Sequence, residues 1–181
     1  KYVHAVTCEA CKGARLNDDA LSVTLQGKSI AEVAKWELNE LRSWIRANEW
    51  DLVANEIFAK IEAQIDLLDD LGLGHLRIDR PASTLRASEI QRIRVANQIL
   101  VPLSDVLYVF DEPSIGLSRS ENERLIHHFR RLVGKGNTVI IVEHDLETIK
   151  AADHIIEIGP AGGVDGGEVI FNGSLPDFAK S

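Results

Sequence analysis

The stretch VLYVFDEPSIGL, residues 106–117, passes without a break from an apolar run into two carboxylates and a turn. Its first five residues are aromatic, β-branched or leucine, with no polar alternation. Such a run reads as a strand buried on both faces, as in a parallel sheet covered by helices. TVIIV (138–142) has the same texture. Between the two, SENERLIHHFRRLVGKG (120–136) is amphipathic at helical spacing and closes on a glycine turn. A short helix (145–151), a third strand (154–158) and a fourth (167–171) follow. The order β-α-β-α-β predicts an α/β core.

Upstream of residue 100 the texture is mostly helical. ALSVTLQ (20–26) alternates like a short strand, and SIAEVAKWELNELRSWIR (29–46) turns to helical spacing. Ile57, Ile61, Ile65 and Leu68 recur as one apolar stripe of a second helix, which GLG (72–74) ends. A loop containing Pro81 leads to Ser83 and Thr84, either of which suits the N-cap of a helix running to Leu100. The chain thus divides near residue 100, into a mostly helical part over 1–100 and an α/β part over 101–181.

With 181 residues and 45% hydrophobic content, the chain can bury a core as one domain or two small ones. A net charge of −8 does not advertise nucleic-acid binding. A local basic strip survives at 77–94, where Arg77, Arg80, Arg86, Arg92 and Arg94 face only Asp79 and Glu89; a solvated helix face would look the same. There is no secretory signal and no run of eighteen apolar residues. With Cys8 and Cys11 the only cysteines, these features suggest a soluble protein of a reducing, cytoplasmic compartment, without a membrane partner. The chain contains no methionine, which suggests an internal piece of something longer.

Asp111 and Glu112 follow the first apolar run directly. Open α/β sheets bind ligands at the carboxyl ends of their strands. An acid there holds Mg²⁺ through water, and the next one orients an attacking water. Two loop acids capping a helix are the plainer alternative. His144, in VEHD, ends the second run, so the two strand ends should converge, an arrangement suited to nucleotide hydrolysis. Such chemistry needs a phosphate cradle, G-x-x-x-x-G-K-[ST]. SVTLQGKSI (22–30) supplies Gly27, Lys28 and Ser29, but Ser22 replaces the first glycine and VTLQ prefers an extended strand. GKGN (134–137) is a turn between helix and strand. The chain offers no convincing triphosphate loop.

These residues resemble a family. LYVFDEPSIGL (107–117) is similar to the Walker B strand and D-loop of ATP-binding-cassette (ABC) ATPases. NTVIIVEHDLETIKAADHIIEIGPAGGVDGGEVIFNG (137–173) resembles the UvrA family, the DNA-damage sensors of the ABC excinuclease. CEACKGARLNDDALSVTLQGKSIAEV (8–33) and LLDDLGLGHLRIDRPASTL (67–85) resemble that family's cysteine stretch and the lead into its signature motif. The likeness covers nearly the whole chain. It implies a helical signature subdomain followed by the Walker B half of an ABC/RecA-like parallel-sheet core, from the first of two nucleotide-binding halves, with the phosphate loop upstream.

Under this resemblance Asp111 would support Mg²⁺, Glu112 would act as catalytic base, and His144 would sense the γ-phosphate of ATP. The turn Ser114-Ile115-Gly116-Leu117 would couple the two ATP sites. Cys8 and Cys11 would belong to a zinc module, as half of a tetrahedral site with His4 a third candidate; two free thiols are the alternative. The signature L-S-G-G-E becomes Leu85-Arg86-Ala87-Ser88-Glu89, while Glu89, Gln91 and Arg92 keep the following E-x-Q-R pattern. Glycine amides at that helix start would approach phosphate on the opposite half, and Ala87 and Ser88 add side chains there. Arg86 either clashes with phosphate or pairs with it. The implied function is ATP-driven damage recognition in nucleotide excision repair. Its partners would be DNA, the second nucleotide-binding half and a UvrB-like, helicase-like subunit. The alternatives are a resistance- or transport-associated paralogue, and a non-catalytic scaffold.

Overall fold

A computed structural model describes residues 6–101, 103–160 and 166–178. They form two compact units that divide between Ile90 and Gln91. His4 and residues 161–165 lie outside the described residues.

The first unit opens with helix α1 (Asp18–Ser22), whose N-cap Asn17 accepts a hydrogen bond from the Ala20 amide. The strand expected over 20–26 therefore shrinks to β1 (Thr24–Leu25). A cap followed by two acids at a helix start outweighs the alternation of ALSVTLQ. β1 pairs antiparallel with β2 (Lys28–Ser29) across Gln26 and Gly27, at φ 49° and 72°. Two central residues in the left-handed region define a two-residue hairpin turn matched to strand twist. Gly27-Lys28-Ser29 thus completes a hairpin. Ser29 also caps α2 (Ile30–Val33) in a reciprocal capping box with Glu32.

The single helix expected from Ser29 to Arg46 is two, α2 and α3 (Leu38–Ala47). Backbone bonds from a distant segment hold the break open. Leu38 and Asn39 amides donate to the Leu76 and Gly74 carbonyls, and the Asp79 amide donates to Ala34. A local pattern cannot reveal such partners. α3 packs on α4 (Leu52–Asp70) through Leu41, Ile45 and Ile65, with Trp36, Trp44 and Phe58 around them. Arg42 clamps the pair by bonding Asp66 and Asp69 at 2.8 and 3.1 Å. Of the anticipated stripe, Ile65 is buried but Ile57 is exposed. Gly72, at φ 71°, lets the chain leave the helix as expected.

The unit boundary falls inside α5 (Ala87–Leu100). Neither Ser83 nor Thr84 caps it. Ala82–Thr84 instead form a 3₁₀ turn, in which the Thr84 hydroxyl donates to the Pro81 carbonyl at 2.7 Å.

In the second unit, β3 (Leu107–Asp111) pairs in parallel with β4 (Thr138–Val142), Asp111 opposite Val142, and α6 (Arg119–Val133) makes the crossover. Phe110 packs on Phe129 of α6, with Leu125 and Leu132 completing the buried layer. Asn137 is buried where β4 begins; its Oδ1 accepts from the Val106 amide, and its Nδ2 donates to the Leu103 and Leu132 carbonyls. After α7 (Leu146–Lys150) come β5 (Ile155–Gly159) and β6 (Glu168–Gly173), then α8 (Leu175–Phe178). β5 and β6 pair antiparallel as a separate two-stranded sheet rather than extending the parallel one.

Burial on both faces of β3 and β4 is not observed. Tyr108 and Phe110 are buried on one face, while Leu107 and Val109 on the other are 58% and 53% exposed. Among the described residues α6 covers only the first face. An unbroken apolar run records that both faces seek cover, not which segment provides it.

Candidate active site

β3 delivers Asp111 and Glu112 to its carboxyl end, and β4 delivers Glu143 and His144 beside them. The Glu112 amide donates to the Val142 carbonyl at 2.9 Å, carrying the parallel ladder one residue past the strand. Glu112 then turns out of the sheet at φ 43°. A non-glycine residue in this left-handed region costs about 1–2 kcal/mol, and strain of this kind clusters at functional sites. The turn leaves the Glu112 carboxylate 49% exposed, with Oε1 3.9 Å from Nδ1 of His144, itself 75% exposed. This separation is too long for a hydrogen bond. It leaves both groups open to a third molecule.

Pro113 is buried immediately after Glu112 and anchors the turn that follows. There the Leu117 amide donates to the Ser114 carbonyl at 3.0 Å, and Gly116 takes φ 72°. Two α5 side chains hold these backbones. Gln91 Nε2 donates to the Asp111 carbonyl at 3.0 Å, and Arg92 donates to the Gly116 carbonyl. The Q-R pair noted in the sequence thus sits on the loops carrying Asp111 and Gly116.

Nothing in the sequence singles out Glu143. Its side chain is only 3% exposed. Oε1 accepts from the Ser114 amide at 2.8 Å, while Oε2 accepts from the His144 and Asp145 amides at 3.0 and 3.2 Å. Burial works to raise its pKa, but these hydrogen bonds from Ser114, Asp145 and His144 outweigh burial and hold the carboxyl below the usual glutamate value. A lone acid before a histidine carries no sequence signal for this arrangement, because one of its donors lies 29 positions away.

Leu85 to Glu89 belong to the first unit. Arg86 immediately precedes α5, and its carbonyl accepts from the Ile90 amide. Glu89 is buried, its Oε2 accepting from the Arg86 amide at 2.7 Å and its Oε1 from Arg80 at 3.3 Å. The Arg86 amide is the main cause that holds the Glu89 carboxyl below its ordinary value; burial opposes it, and Arg80 and His75 assist. This is one half of a capping box, since Arg86 has no hydroxyl to return the bond. Arg86→Ser would supply it. We expect this substitution to stabilise the chain by about 1 kcal/mol in urea denaturation, and an unchanged or lowered midpoint would refute the half-box reading. Of the basic strip, Arg77 pairs with Asp79 and Arg80 with Glu89. These partners remove much of its free charge.

Cys8 and Cys11 sit on a tight knuckle in which the Lys12 amide donates to the Cys8 carbonyl at 2.8 Å. Hydrogen bonding from Cys11, backbone first, lowers the Cys8 thiol pKa, which suits a metal-binding thiolate. Among the described residues no third histidine, cysteine or acid joins them.

No family model matches the chain. UvrABC system protein A of Clostridium tetani is 46% identical over 178 residues, 96% of this chain and 19% of that protein. The protein of the same name from Thermus thermophilus is 44% identical over 180 residues, with the same coverage of 96% and 19%. Among solved structures, UvrA2 from Deinococcus radiodurans matches with a TM-score of 0.83 at 35% identity, over 96% of this chain and 23% of that one. RNase-L Inhibitor matches with a TM-score of 0.52 at 23% identity, over 79% of this chain and 26% of that one, a likeness of fold alone. The chain spans about a fifth of the length of the curated relatives it matches.

Proposed function

We propose that this chain, a member of the UvrA family, supplies the hydrolytic edge of an ATP site in a longer ABC ATPase that recognises DNA damage for excision repair. The observation that carries the reading is the meeting of Glu112 and His144, 3.9 Å apart, at the ends of two adjacent parallel strands. Glu112 would take the proton of a water attacking the γ-phosphate, and His144 would donate a hydrogen bond to that phosphate. Asp111, exposed at the strand end, would hold Mg²⁺ through water. When bound, Mg²⁺ would neutralise charge on the phosphates.

Residues 1–100 would serve as the signature domain. Leu85, Arg86, Ala87, Ser88, Glu89 and Gln91 would form its edge toward nucleotide, and Ser114 and Gly116 would lie in the coupling turn. Arg86 in place of a small hydroxyl would weaken the composite site served by this signature. The Cys8–Cys11 knuckle would complete a zinc module with two ligands from elsewhere in the longer protein. DNA, a second nucleotide-binding half and a UvrB-like subunit would be the partners, in the cytoplasm. Among the described residues no helix is long and apolar enough to cross a membrane.

Because Gly27-Lys28-Ser29 lies in a hairpin, the segment offers phosphate no cradle. Titration of this chain with Mg²⁺-ATP in a calorimeter should show no binding, whereas the longer protein should bind. Micromolar binding by the chain alone would overturn this placement of the site and direct attention to Lys28.

A further inference from the structure

We propose that Glu143 is a positioning residue that sets the register of the turn Ser114–Leu117 against the backbone carrying His144. The inference rests on the ATPase reading of the site. The carboxylate lies between two loops and divides its oxygens between them. One oxygen holds the Ser114 amide at 2.8 Å; the other holds the His144 and Asp145 amides at 3.0 and 3.2 Å. One side chain thus ties the two backbones together directly. With that side chain 3% exposed, water cannot readily substitute for it.

Three features distinguish this group from a buried acid that serves stability alone. All three of these donors are main-chain amides, so it fixes backbone position and not merely side-chain rotamers. It bridges the ends of β3 and β4, where Glu112 and His144 leave the sheet. Beyond Asp145, the second loop is fixed independently, because Asp145 Oδ1 accepts from Asn122 at 2.7 Å and from the Thr148 amide at 2.9 Å. Glu143 therefore transfers that fixed position to the turn at Ser114. A shift of the turn would move Glu112, two residues before Ser114, relative to His144.

Glu143→Gln keeps the shape but sets an NH₂ group against an N–H donor of one loop, so only one loop can stay bound. In the longer protein, kcat for ATP hydrolysis should fall by about 10- to 100-fold, the scale of a misplacement near 1 Å, with KM for ATP unchanged within about twofold. Glu143→Asp keeps the charge but is shorter by one methylene; it should lose kcat to a smaller degree, again without a change in KM. In this chain, the Ser114, His144 and Asp145 amide resonances should shift in Glu143→Gln while those of β5 and β6 stay in place. Wild-type kcat per folded molecule in both variants would overturn the proposal, as would unmoved amide resonances at all three positions. Glu112→Gln serves as the control. If it keeps full turnover, the placing of the hydrolytic base at Glu112 fails, and with it the reading of this strand end on which the proposal rests; if it is silent while Glu143→Gln is normal, only the role of Glu143 fails.

Discussion

Glutamine at position 112 should lower ATP turnover by the longer protein about 100- to 10,000-fold, the usual contribution of a positioned general base, while leaving ATP binding nearly intact. The substitution is almost isosteric. It preserves the buried Pro113 that follows, the amide bond to Val142 at 2.9 Å and the left-handed backbone at φ 43°. Only the capacity to accept a proton is removed. Backbone strain at this position provides an internal control. Glycine would relieve about 1 kcal/mol there, whereas glutamine carries the same strain as glutamate, so its thermal midpoint should match that of the parent. Turnover is measured at saturating Mg²⁺-ATP, beside a melting curve for each protein. A drop of less than about tenfold, with an unchanged midpoint, would remove Glu112 from the role of base. His144, 3.9 Å away, would then be the next group to test.

The meeting of Glu112 and His144 was legible in the sequence because two apolar runs, separated by one amphipathic helix, can pair in parallel only with their carboxyl ends together. That inference needed no side-chain detail. The features that were not legible depend on partners far along the chain. The break between α2 and α3 is held by carbonyls and amides at 74–79, which no periodicity at 29–46 encodes. Glu143 looks like any loop acid until Ser114 is brought to it. The start of α5 at Ala87 follows from a 3₁₀ turn in which Thr84 spends its hydroxyl on Pro81 instead of on the helix. Local chemistry decides the hairpin at Gln26–Gly27, but the expected strand yields to the cap at Asn17, a case of two local signals competing over the same residues. The apolar texture of β3 does mark a strand, yet its outer face finds no helix within the described residues.

That asymmetry makes Phe110→Ala the most damaging core substitution expected in the second unit. Phe110 is 2% exposed, 4.7 Å from the ring of Phe129 and stacked on Tyr108 at 6.1 Å. Truncating a buried phenylalanine costs about 3–5 kcal/mol, through lost transfer energy and the cavity left behind. A domain has only about 5–15 kcal/mol of net stability to lose. With one face of β3–β4 uncovered among the described residues, the second unit should start near the low end of that range. The mutant should therefore lose protection across Leu107–Asp111 and Thr138–Val142, and with it the convergence of Glu112 and His144. The three tryptophans, Trp36, Trp44 and Trp50, all lie in the first unit, so their fluorescence cannot report this loss. Amide hydrogen exchange in β3 and β4 is the suitable measurement. Val109→Ala, one residue away on the open face and 53% exposed, should cost less than about 1 kcal/mol. Equal exchange rates for the two variants would mean that the two faces of β3 do not differ in burial, and faster exchange in Val109→Ala would mean that they have been assigned the wrong way round.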